Sequence, residues 1–127
     1  MPDHQTQRDS GHVSPGAIPE SIPVTTTFDF PDWKVDRYVG ACFGLIVRSM
    51  GAVKGIGAAF KSVAGGEVTQ YTELLEDTRR HAMDRMIENA RIMGANAVIG
   101  MRFDSSEMGQ SLTEVVAYGT AVVVSAK

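Results

Sequence analysis

The stretch GGEVTQYTELLEDTRRHAMDRMIENARIMGANAVIGMRFD, residues 65–104, reads as a glycine turn, a long amphipathic helix, a second glycine turn and a buried strand. Thr72 is placed to cap the helix, because its hydroxyl can accept from a free N–H of the first turn. Glu73, Glu76 and Asp77 then put negative charge near the positive end of the helix dipole. Leu75, Thr78, Ala82, Met86, Ala90 and Met93 recur at three- and four-residue steps, a buried stripe widened by Leu74, Met83 and Ile87. Arg91 falls in the last turn, and Gly94 supplies the left-handed residue that ends a helix. Ala97, Ile99, Met101 and Phe103 alternate onto one face of the following strand, with Val98 and Gly100 on the other. A helix packed on a sheet follows from this pattern.

Working outward, the run from Trp33 to Ser49 has the strongest β alternation in the chain. Val35, Val39, Ala41, Phe43, Leu45 and Val47 share one face; Tyr38, Gly40, Cys42 and Gly44 occupy the other. The small residues on that second face let another element approach closely. The run is long for one strand, so a bulge or bend is expected at Gly40 or Gly44. Residues 22–27 are rich in β-branched side chains and read as a first strand, with Pro23 at its start or on an edge. Residues 28–32 make a turn. Residues 104–111 read as a polar connection, and 113–125 as a final strand with Val115, Ala117, Ala121 and Val123 facing one way. Val116, Tyr118, Val122 and Val124 face the other way. A strand apolar on both faces is central in its sheet, or covered by another subunit.

The chain of 127 residues suits one domain with a real core. A net charge of −3 offers no electrostatic footprint for nucleic acid. One cysteine rules out an intrachain disulfide framework and fits a reducing cytoplasm. No apolar run reaches membrane-spanning length, and no secretory leader pattern is recognised at the N-terminus. Residues 1–21 are polar, rich in Pro, Ser and Gly, and lack an apolar period; they are expected to form a flexible tail, with residues 22–127 as the domain. His4 and His12 lie in that tail without a defined partner for a metal.

Few residues carry a chemical signal. Gly51, Gly55 and Gly57, with Lys54 among them, lead into a short helical stretch holding Ile56, Ala59, Phe60 and Val63. A glycine turn entering a helix can cradle a phosphate, yet the spacing fits neither the P-loop nor the dinucleotide fingerprint. Tight strand-to-helix packing accounts for the same glycines. An anion site there would draw on Arg48, Lys54, Glu67 and Tyr71. Glu73, Asp77 and His81 stand at four-residue steps on one side of the long helix, a carboxylate–imidazole set that suits a divalent metal. The competing account is a solvated face of paired charges, Glu76 and Asp84 with Arg80. Cys42, mid-strand among glycines, reads as an inert core thiol. Ser105, Ser106 and Glu107 imply no nucleophile–base geometry, and no catalytic residue is assigned.

Several segments together resemble the YbjQ-like family. They are Val63-Ala-Gly-Gly-Glu67 followed by Tyr71-Thr-Glu-Leu-Leu-Glu76, then Gly94-Ala-Asn-Ala-Val-Ile-Gly100, Met101-Arg-Phe-Asp-Ser-Ser106 and Ala117-Tyr-Gly-Thr-Ala-Val122. The VTTT of residues 24–27 and Val47-Arg-Ser49 complete the set, in order, over about residues 22–125. Ala64 replaces the family's usual valine, and the N-terminal tail is extra to the pattern. The resemblance implies an α+β, dodecin-like protomer: a mixed β-sheet packed by one long and one short helix, assembled into a ring-shaped homopentamer. It also carries the label "putative heavy-metal-binding", although the matching segments hold no CxxC, His pair or Cys–His spacing of a soft-metal site. The expectation is a non-catalytic, homo-oligomeric cytoplasmic protein with a metal ion or small ligand at subunit junctions. Two other classes stay open: an enzyme acting on a small anionic metabolite through the Gly51–Gly57 turn, and a ring that presents its tails to a partner protein.

Overall fold

The computed structural model describes residues 22–49, 69–109 and 111–127, with the backbone alone of residues 70 and 71. The expected tail and the short helix after Gly57 lie outside these residues. The described elements run β1 (Trp33–Ser49), α1 (Thr69–Ile92), β2 (Ala97–Met108) and β3 (Leu112–Ala126). The three strands form one antiparallel sheet in the order β1-β3-β2. β3 is therefore central, as its two apolar faces require. The sheet is not the mixed one expected. Its parallel component is confined to residues 23–27, which lie along the outer edge of β2 with a single parallel bridge between Val24 and Val98. Val98 and Met101 donate their amides to the carbonyls of Pro23 and Thr25, while the Thr25 amide donates to the Val98 carbonyl.

Helix α1 begins at Thr69, three residues before the expected cap, so Thr72 is inside the helix. Threonine's helix penalty is below about 1 kcal/mol, so the helix can run through Thr72. Of the expected stripe, Thr78, Ala82, Met86 and Ala90 are buried, whereas Leu75 is half-buried and Met93, just past the helix end, is exposed. The Thr78 hydroxyl donates to the Leu74 carbonyl at 2.8 Å, which allows a polar side chain in the core. Burial of a side chain the size of Met86 stabilises the fold by about 1.5–3 kcal/mol. At the C-terminus, Gly94 takes φ +93°. Its amide donates to the Arg91 carbonyl, and the Ala95 amide donates to the Ala90 carbonyl. That pair of bonds closes a Schellman motif, with Ala95 packed beneath the last turn.

Asn96 then locks the chain into the sheet. Its side-chain amide donates to the Val124 carbonyl at 3.0 Å, and its oxygen accepts from the Val124 amide at 2.8 Å. The side chain thus imitates one more residue of β2 against β3.

Helix α1 lies chiefly on β1 and β3. It crosses the sheet at Gly44, where an added Cβ would collide with the backbone of Ala82 and Met86. The small-residue face of β1 is therefore the core face. Cys42, Met86, Ala82, Val98, Met101, Val115, Ala117 and Ala121 form the main cluster there. A second cluster on the opposite face joins Trp33, Ala97, Ile99, Val122 and Val124, with Phe30 and Val35.

Three register shifts redirect the alternation seen in the sequence. On β1, register shifts fall between Val35 and Arg37 and between Tyr38 and Gly40, the latter glycine at φ +145°. Val39 consequently packs with the main core, while Ala41, Phe43, Leu45 and Val47 turn to the opposite side. On β2, a shift between Ile99 and Arg102, at Gly100 with φ +63°, moves Met101 and Phe103 to the helix side while Ala97 and Ile99 stay with Trp33. The polar run 104–108 is strand, paired to residues 112–116, so only the tip around Gly109 is turn. Its side chains are exposed and the ladder, rather than burial, holds it extended.

Candidate functional site

The charged residues singled out in the sequence meet at one end of the sheet. Arg48, next to last in β1, projects on the helix side. Its Nη2 donates to His81 Nδ1 at 3.0 Å, and its Nη1 lies 3.8 Å from Asp77 Oδ2. The other ring nitrogen, Nε2, lies 3.8 Å from Asp77 Oδ1. All three side chains reach solvent. Arg48, assigned to one candidate site, thus joins Asp77 and His81 of the other. Glu73 remains an exposed residue one turn away.

This cluster suits a β1–α1 tie better than a metal centre. A guanidinium already holds one imidazole nitrogen and sits beside the carboxylate. Among the described residues, no three of His, Cys, Asp and Glu converge to hold a metal ion. Cys42, a soft donor, is buried, and its thiol donates to the Gly119 carbonyl at 3.6 Å. Burial pushes this thiol above its ordinary range, against a smaller opposing effect of the Gly119 bond. The described side chains therefore do not fit a heavy-metal site on their own. Lys54 and Glu67, and the Gly51–Gly57 turn, lie outside the described residues, as does the side chain of Tyr71. The rest of the charged helix face behaves as a solvated surface: Arg80 pairs with Glu76 at 3.2 Å, and Arg79 lies 5.0 Å over the ring of Phe103.

A surface missed in the sequence is on the other side of the sheet. Phe43, Leu45 and Val47, which share one face of β1 in the alternation, turn toward solvent. They are 58%, 39% and 48% exposed. Register places Tyr118 opposite Phe43 and Val116 opposite Leu45 on β3, and Tyr118 is 43% exposed. Arg102 and Asp104 of β2 lie next to Tyr118 and Val116 on the same face. The result is an apolar strip bordered by Asp104 and by Arg102, whose guanidinium donates to the Thr26 and Met101 carbonyls at 2.9 and 2.8 Å. Its signal in the sequence was the two-faced apolar character of residues 113–125.

A single antiparallel sheet backed by one long helix defines a small α+β domain. The chain belongs to the YbjQ-like family, whose model, described as "Putative heavy-metal-binding", matches residues 22–125. Among its relatives, a UPF0145 protein of Bradyrhizobium sp. (strain ORS 278) is 49% identical, covering 82% of this chain and 94% of its own length. Another, of Methanoregula boonei, is 52% identical over 83% of this chain and 88% of its own. A crystal structure of a DUF74-family protein of unknown function from Pediococcus pentosaceus superposes with a TM-score of 0.54. It is 12% identical and covers 81% of this chain and 97% of that one, so the likeness concerns the fold. Within the described residues, the family segments have architectural uses. Gly94 ends the helix, Asn96 clamps β3, and Gly119 lies so close to Val98 that a Cβ would come within 2.8 Å of its Cγ1. No helix among the described residues is long and apolar enough to cross a membrane.

Proposed function

We propose that the protein is a non-catalytic cytoplasmic homo-oligomer whose protomers meet through the exposed sheet face, with the ring-shaped homopentamer as its form. The observation that carries this reading is the strip Phe43, Leu45, Val47, Val116 and Tyr118 on the face of the sheet opposite α1, the one helix among the described residues. Such a strip is on the order of 300–400 Å², within the range of the largest apolar patch on an ordinary monomer, which is often functional. It is about half of the ~800 Å² per partner in a stable interface, so the polar rim must join the contact. A metal ion or small ligand, in this reading, binds at subunit junctions, where a second copy adds donors that Glu73, Asp77 and His81 lack on one protomer.

Native mass spectrometry of the tagless protein tests the assembly against the protomer mass of 13.7 kDa. A pentamer that dissociates in Phe43→Asp, with the far-ultraviolet spectrum retained, is the expected result. A wild-type monomer at micromolar concentration overturns the reading. Divalent-metal titration of the assembled protein tests the junction: equal uptake by wild type and His81→Ala removes His81 from it.

A further inference from the structure

We draw no further inference here: the strongest candidate, the buried indole N–H of Trp33 in the apolar cluster on the face of the sheet opposite α1, has no hydrogen-bond partner among the described residues, and nothing in the structure shows what would supply its acceptor.

Discussion

Gly44→Ala tests the central packing claim with one methyl group. At an added Cβ, the Arg85 carbonyl carbon would lie 2.7 Å away, with Met86 N and Ala82 O closer still. Backbone atoms of a helix cannot swing aside as a side-chain end can. Restoring ordinary contact requires α1 to retreat by about 1 Å along its crossing with β1, loosening Met86 and Ala82 against the sheet. Overpacking of this kind costs about 1–3 kcal/mol, and the unyielding neighbours place this site toward the upper end. At roughly 4 °C per kcal/mol, the melting temperature should fall by about 10 °C. Urea denaturation and thermal melts followed by circular dichroism, at matched protomer concentration, measure it. Gly109→Ala is the control: its Cβ meets nothing within 4 Å, but φ is +72°, so backbone strain alone acts. That variant should lose about 1 kcal/mol. If Gly44→Ala unfolds within 0.5 kcal/mol of wild type, a difference ordinary for surface changes, the close helix crossing is refuted.

Three further outcomes follow from the same contacts. Asn96→Ala should destabilise the fold by about 1–3 kcal/mol, because the Val124 amide and carbonyl lose their partners in a part-buried place; urea unfolding at neutral pH measures this, and an unchanged midpoint removes the clamp. Cys42 should make stability fall with alkalinity. Its folded pKa is raised, so its contribution is fully present below the ordinary thiol value of 9.0 and is lost as pH rises from there through the folded value. Unfolding free energies across that window should decline less in Cys42→Ala than in wild type, and parallel curves would contradict the assignment. Arg80→Ala, which removes an exposed pair with Glu76, should change stability by less than about 0.5 kcal/mol; a larger loss in the same urea assay would mean that this helix face is not simply solvated.

The sequence by itself determined the local elements and their punctuation. The spacing of Thr78, Ala82, Met86 and Ala90 requires a helix with one buried stripe, and Gly94 requires that it stop, because these are properties of a few consecutive residues. The two-sided apolar pattern of residues 113–125 left that strand central or covered by another subunit, and the strand order β1-β3-β2 makes it central. The tertiary structure decided which face of each strand became the core. A bulge shifts alternation by one residue, and the bulges at Tyr38–Gly40 and Ile99–Arg102 moved Phe43 and Leu45 outward and Met101 inward. The length of the run and Gly40 announced the first of these shifts, but a period-two pattern does not say which side chains it moves, since that depends on which partner residues share the ladder. The same limit governed the candidate site. Helical spacing put Asp77 and His81 on one side, but only the packing of α1 against β1 brought Arg48 to them and turned a metal-like triplet into a charged tie. The small residues opposite the large side chains of β1 allowed a close approach, and the tertiary structure made Gly44 the seat of the helix.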